Sequence, residues 1–261
     1  VLPQMNVIAV RERRTSLPLL LKLGVPDERI KVTGDDAIEL AYQHTSQIPG
    51  CHLGVNLRVA GYANVSRALA ASVLDAVAAF AKARGVEMLP IPISFQAGES
   101  DLRTAKGTLE LPMVPPPPDD PVSVVSAVGR CRMVISGSYH GAVFALAQGI
   151  PTICLTNSQY YNHKFCGLAE MFGVGCDVID LRAGNGNVQR LQDVLEENWR
   201  SGGRRQDLLR SAAAQIAMSR GAYRRLPEIV SSQIQASTEQ HRPIPSNSPQ
   251  EGVSCHLSPS A

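Results

Sequence analysis

Short apolar runs alternate with longer stretches whose apolar residues return every third or fourth position, and this alternation repeats along most of the chain. Asn6 to Val10 is a short apolar run, Ser16 to Leu23 suits a helix, and Ile30 to Thr33 is a second short strand ahead of Gly34, Asp35 and Asp36. Together they read as the last β-α-β piece of a domain. The polar stretch Gln43 to Gly50, which ends in Pro49 and Gly50, reads as a linker. Cys51 to Arg58 then forms a strand, and Asn64 to Ala83 a helix with Leu69, Val73, Val77 and Phe80 at helical spacing. Gly85 caps that helix and Val86 to Ile91 is the next strand.

Ser94 to Ser100 is a polar turn before a short helix near Asp101, and Pro115 to Pro118 is an extended surface connection. Asp120 opens a helix and Cys131 to Ser136 is a strand. The pattern continues with a helix from His140 to Gln148, a strand from Thr152 to Leu155, a helix near Tyr161 to Phe172 and a strand from Asp177 to Leu181. Strand and helix in strict alternation predict an α/β fold, a parallel sheet with helices on both faces. Val188 to Trp199 and Asp207 to Arg225 follow as two terminal helices. The chain after Ser232, rich in Ser, Pro and Gln, is expected to be disordered. The divisions predicted are therefore 1–47, 48–182, 183–231 and 232–261.

With 261 residues, 44% of them hydrophobic and 18% charged, the chain can build a sizeable core and is not a disordered polypeptide. Its net charge of +2 gives no polybasic footprint for nucleic acid, so an anionic ligand must be met by local charge. No apolar run approaches the roughly 18 residues of a membrane span, since Leu17 to Leu23 is broken by Pro18 and Lys22. The six cysteines, Cys51, Cys131, Cys154, Cys166, Cys176 and Cys255, form no CxxC pair and signal neither zinc nor a disulfide framework. Free thiols in a reducing cytoplasm are the expectation. The chain begins at Val1 with no leader-like segment, which reads as a fragment of a longer polypeptide.

The stretch from Met133 to Leu155 carries the most chemistry. A buried strand ends in Gly137-Ser-Tyr-His-Gly141 and opens a helix, which brings His140 and the amides near Gly141 to the carboxyl edge of the sheet. A helix N-terminus there favours an anion through its dipole and unpaired amides. The same residues also serve as a plain helix cap, and neither the glycine spacing of a dinucleotide site nor a P-loop is present.

The arrangement resembles the polysaccharide pyruvyl transferase family, in which a Ser-Gly strand end and an x-x-His-Gly turn precede Ala-x-x-x-Gly-x-Pro, here Ala145-Leu-Ala-Gln-Gly-Ile-Pro151. Val10-Arg-Glu-Arg-Arg-Thr-Ser16 is similar to that family's Val-Arg-Asp-x-x-Ser segment. Leu23-Gly-Val25 with Val32-Thr-Gly-Asp-Asp-Ala37 looks like its next strand and aspartate turn. Gly54-Val-Asn-Leu-Arg58 resembles the opening strand of the family's C-terminal domain, and Tyr160-Tyr-Asn-His-Lys-Phe-Cys-Gly-Leu168 its Lys-x-x-Gly-Leu helix. In one place the chain departs from the pattern: many members have Arg-Leu-His where this sequence has Ser138-Tyr139-His140.

The resemblance implies a GT-B-like fold of two Rossmann-like halves, of which this chain holds the end of the first and all of the second. It implies phosphoenolpyruvate as a co-substrate in place of a bound cofactor, a sugar or lipid-linked saccharide as acceptor, and no metal. Phosphoenolpyruvate carries a phosphate and a carboxylate, so cationic groups and amides are needed. Arg11, Arg58 and Lys164 are candidates for the charge, although Arg58 and Lys164 also suit ordinary surface solvation. Ser138, Tyr139 and Gly141 are candidates for the turn that binds the donor. His140 is the candidate for proton transfer and His163 its alternate. Glu12, Asp35 and Asp36 either orient an arginine or cap a turn. A nucleotide-sugar glycosyltransferase and a catalytically silent sugar- or phosphate-binding module are the competing readings.

Overall fold

Along the strands of the main sheet, apolar side chains alternate between two helical layers, the signature of a sheet buried on both faces. The structure is a computed structural model that describes residues 1–57, 65–94, 120–183, 186–200 and 204–231. Arg58, the short helix near Asp101, the Pro115 to Pro118 connection and the tail after Ser232 lie outside the described residues. The chain divides into two compact units, Val1–Tyr223 and Arg224–Ala261, and both sheets lie in the first. Residues 226–231 of the second are helical.

The first elements are β1 (Ile8–Val10), α1 (Ser16–Lys22), β2 (Ile30–Val32) and α2 (Ala37–Gln43). Strands β1 and β2 pair in parallel, Ile8 beside Ile30 and Val10 beside Val32, over a small core of Leu20, Val25 and Ile30. Next come β3 (His52–Asn56), α3 (Arg67–Arg84), β4 (Met88–Pro90) and α4 (Pro121–Gly129). Then follow β5 (Cys131–Ser136), α5 (Tyr139–Ala147), β6 (Thr152–Thr156), α6 (Gln159–Phe172) and β7 (Cys176–Asp180). Helices α7 (Gly186–Arg200) and α8 (Arg205–Arg224) end the described chain of this unit.

The second sheet is wholly parallel with strand order β4-β3-β5-β6-β7. Leu53, Val55, Met133, Ile135, Ile153, Leu155 and Ile179 face a layer containing Val73, Val77 and Phe80 of α3 and Leu191 and Leu195 of α7. Cys131, Val134 and Cys154 face the opposite layer, where α5 is covered by Ile38 and Ala41 of α2, Val125 of α4, Phe165 of α6 and Leu208 of α8. The parallel α/β sheet predicted from the alternation is thus present. Helix α2 is not among the elements the pattern predicts: Ile38 and Ala41, fully buried three positions apart, supply a helical face too short to stand out from the polar stretch that follows.

Strand order reverses between β3 and β5, where ligands of open α/β sheets bind beyond the carboxyl ends. The chain crosses that point tightly. The Gly137 amide donates to the Asn56 carbonyl at 2.8 Å, and the Asn56 side-chain amide donates to the Ile91 carbonyl at 2.7 Å.

The β1–α1 turn is locked to α6 by a glycine. Glu12 is buried and its carboxylate accepts from the Thr15 and Ser16 amides, both at 2.9 Å, and from the Thr15 and Ser16 hydroxyls at 2.5 and 2.6 Å. A Cβ on Gly167 would lie 2.8 Å from Glu12 Oε2, 3.0 Å from its Cγ and 3.1 Å from its Cβ. Because four hydrogen bonds hold the carboxylate, it has no free rotamer in which to escape. Burial raises the Glu12 pKa, but the bonds from Ser16 and Thr15 outweigh it, so the group titrates below its ordinary 4.5.

Two outcomes are expected. Gly167→Ala forces this overpacked contact and lowers stability by about 1–3 kcal/mol, read from urea unfolding at neutral pH; an unchanged midpoint would show that the turn yields freely. Ionised Glu12 stabilises the folded state above its unfolded pKa, and this contribution disappears as pH falls through the lower folded value. The difference in urea midpoint between the parent protein and Glu12→Gln is therefore largest at neutral pH and closes toward strongly acid pH. A constant difference over that range would refute the assignment.

Candidate functional site

The site begins with a missing side chain. Ser136, last residue of β5, donates from its hydroxyl to the Ser138 carbonyl at 2.8 Å and accepts from the Ser138 amide at 3.1 Å, which bends the chain sharply into α5. A Cβ at Gly141 would come within 2.6 Å of that hydroxyl. Only glycine lets the first turn of α5 sit on the strand end in this way. The adjacent strand repeats the device: the Thr156 hydroxyl donates to the Ser158 carbonyl at 2.9 Å and accepts from the Ser158 amide at 3.3 Å.

The two helices then differ. Ser158, at the N-cap of α6, accepts from the Tyr161 amide, as Ser66 and Asp120 cap α3 and α4. Ser138 holds the N-cap position of α5 but makes no such bond. The positive end of α5 therefore keeps amides without a side-chain cap, at the crossover point of the sheet.

Helix α5 is buried along its whole length save one residue. Tyr139 and Gly141 to Ala147 are all buried, and His140 is exposed. The imidazole is flanked by the Tyr139 ring at 5.7 Å, edge to face, and by Phe144 at 6.2 Å.

Tyr139 gathers the remaining groups. Its ring, 4% exposed, stacks on Phe165 at 6.4 Å. The Arg11 guanidinium lies 4.5 Å from the ring centroid and the Lys164 ammonium 5.8 Å from it. Cations are attracted to the negative face of an aromatic ring, most strongly where water is excluded. Arg11 is further held by Asp35 at 3.8 Å, and Asp35 is itself fixed by accepting from the Ala37 amide at 3.0 Å. Burial drives the Tyr139 phenol well above its ordinary range, so it stays neutral, and its buried hydroxyl has no hydrogen-bond partner among the described residues.

Lys164 also lies 4.2 Å from the Tyr160 ring and 5.4 Å from the Tyr161 ring. The adjacent Lys164 ammonium, with smaller help from Arg11, holds the Tyr160 phenol below its ordinary value against the opposing effect of burial. On the far side of the β5 and β6 ends, a small apolar pocket is lined by Leu57, Val73, Gly137, Leu155, Asn157 and Tyr161.

Of the residues named from the sequence, Arg11, Tyr139, His140 and Lys164 come together around one ring, with Ser138 and Gly141 shaping the turn beneath it. Arg58 lies outside the described residues. His163 is half-buried on α6. Asp35 orients Arg11, whereas Glu12 caps α1 and Asp36 accepts from the Ser219 hydroxyl at 3.0 Å and the Tyr223 hydroxyl at 2.9 Å. Sequence reasoning did not single out Ser136, Thr156 or Tyr160. The signal for Tyr160 was its place four residues before Lys164 on a helix, which sets the two side chains on one face.

Two cations beside an uncapped helix N-terminus suit a doubly anionic ligand, and an exposed imidazole at the same edge suits proton exchange with it. No group of three or more residues able to hold a metal ion occurs among the described residues, and no described helix is long and apolar enough to cross a membrane.

A search of curated proteins finds no significant match. Among solved structures, the chain is similar to the glycotransferase of kitacinnamycin, with 15% identity, a TM-score of 0.49, and coverage of 87% of this chain and 55% of that one. The chain thus spans about half the length of that protein. The sequence profile of the polysaccharide pyruvyl transferases matches residues 1–159, a stretch that includes Arg11, the β5–α5 turn and His140. With more than half of its length matched, this chain belongs to the polysaccharide pyruvyl transferase family.

Proposed function

We propose that the protein moves the pyruvyl group of phosphoenolpyruvate onto a sugar or lipid-linked saccharide, forming a ketal and releasing phosphate. The observation that carries this reading is His140, the one exposed residue of an otherwise buried helix, set beside Tyr139 and thereby near Arg11 and Lys164. Family membership supports a transferase acting on polysaccharide. The cation pair supports a donor that carries both phosphate and carboxylate.

The chemistry divides among these groups. Arg11, oriented by Asp35 and by the Tyr139 face, binds the donor phosphate or carboxylate, and Lys164 takes the other anionic end. The amides at the start of α5 add fixed dipoles that need no reorganisation as charge moves. The His140 imidazolium gives a proton to the donor methylene, which leaves the central carbon electron-poor. A saccharide hydroxyl forms a bond to that carbon. A second hydroxyl displaces phosphate, which departs with the bonding pair and takes up that hydroxyl's proton, and the ketal carbon now carries a methyl group, a carboxylate and two saccharide oxygens. The site works in the cytoplasm, where phosphoenolpyruvate is made.

The buried Tyr139 serves this scheme by positioning. Its ring fixes where Arg11 sits, and an aliphatic side chain in its place offers no such face. A chain that lacks the arginine of the Arg-Leu-His turn thus still brings a guanidinium to the donor, from the β1–α1 turn.

His140→Ala is expected to lower phosphate release from phosphoenolpyruvate in the presence of a saccharide acceptor by roughly a hundredfold or more, with the melting temperature almost unchanged because the side chain is exposed. If the variant unfolds or keeps the parental rate, His140 is a helix cap and the proton donor lies elsewhere.

A further inference from the structure

Tyr160 occupies the first turn of α6, four residues before Lys164, and its side chain is 60% exposed. An apolar ring left this open on a helix that buries Tyr161, Phe165 and Leu168 is the exception on its element. It is held from two directions. Tyr161 meets it edge to face at 5.5 Å, and the Lys164 ammonium lies over its ring, 4.2 Å from the centroid. The position is functional in kind as well as rigid. It stands at the carboxyl end of β6, the strand paired in parallel with β5, so the first turns of α5 and α6 open on the same edge of the sheet.

Lys164 on its own helix and Arg11 from the β1–α1 turn both favour the ionised form of the phenol. The positive end of α6 adds to this, since the ring belongs to the first turn. A lysine four residues after an exposed tyrosine sets its positive charge against the ring, and a cation held there raises the fraction of the phenol present as phenolate at any given pH.

We propose that Tyr160, paired with Lys164, is the catalytic residue that takes the proton from the acceptor hydroxyl. This rests on the pyruvyl-transfer reading above and names the base which that reading leaves open. In the step, the acceptor O–H bond breaks as its oxygen bonds to the central carbon of the donor. The π pair of the donor closes on the proton delivered to its methylene by His140, and the acceptor's proton ends on the phenolate oxygen of Tyr160. One proton has left the imidazolium and one has reached the phenolate, so exchange with solvent resets both groups. No oxidant, metal or further reactant enters.

Two measurements test the proposal. Phenolate absorbance is followed in a pH titration of the parent protein, Tyr160→Phe and Lys164→Met. One tyrosine is expected to ionise ahead of the others in the parent, to be missing from Tyr160→Phe, and to move to higher pH in Lys164→Met. The second is phosphate release against pH with phosphoenolpyruvate and a saccharide acceptor. Tyr160→Phe keeps the ring and should keep the parental KM for phosphoenolpyruvate, while kcat falls roughly a hundredfold and its rise with pH is lost. A parent protein without an early-ionising tyrosine, or a Tyr160→Phe variant with parental kcat and pH profile, overturns the assignment while pyruvyl transfer stands. A parent protein that releases no phosphate with any saccharide overturns both.

Discussion

The approach of α5 to the end of β5 is the constraint on which the rest of the site depends. Ser136 can staple the turn only because position 141 carries no side chain, and the staple sets the direction in which α5 leaves the sheet. From that direction follows a helix buried on every side but one, with Tyr139 turned inward and His140 outward. Moving the helix axis by the width of a methyl group would separate the ring that gathers the cations from the imidazole beside it. A two-residue hydrogen-bonded bend thus fixes positions that belong to three different parts of the chain.

The cations illustrate how such a site tolerates burial of its supports. Arg11 is itself one-third exposed, yet both groups that hold it are more buried: the Asp35 carboxylate and the Tyr139 ring. A charge left at the rim, with its partners beneath it, keeps most of its hydration in the empty state and loses little on meeting an anion. The Tyr139 hydroxyl is a buried polar atom that finds no partner among the described residues, a cost of a kind native cores seldom accept without a return. Here the return is a ring whose face holds a guanidinium.

Much of this was legible in the sequence. Cys131 to Ser136 reads as a strand because the apolar residues Met133, Val134 and Ile135 run into a Gly-Ser turn, and the structure gives it the same limits. Gly85, with a positive φ of 62°, ends α3 as a glycine after a lysine- and arginine-bearing turn should. Helix α2 escaped because two buried residues are too few to define a period, although Asp35 and Asp36 before it are ordinary helix-start residues. For the candidate site, the histidine, the arginine and the lysine named from the sequence lie around the same ring in the structure. What no linear pattern displays is that one buried ring would collect them, since Arg11 and Tyr139 are brought together only by the packing of the β1–α1 turn on α6. The assignment of Glu12 and Asp36 to structural duties likewise needed their partners in three dimensions.

The contact between Glu12 and Gly167 bears on how this scaffold is inherited. Arg11 is the immediate neighbour of Glu12, and Lys164 lies one helical turn before Gly167, so a single steric match sets the distance between the two cations of the candidate site. A β1–α1 segment grafted from another member onto this α6, or the reverse, keeps that distance only if the acid and the glycine travel together. The two segments are more than 140 residues apart in the chain, yet as a heritable part they form one cassette.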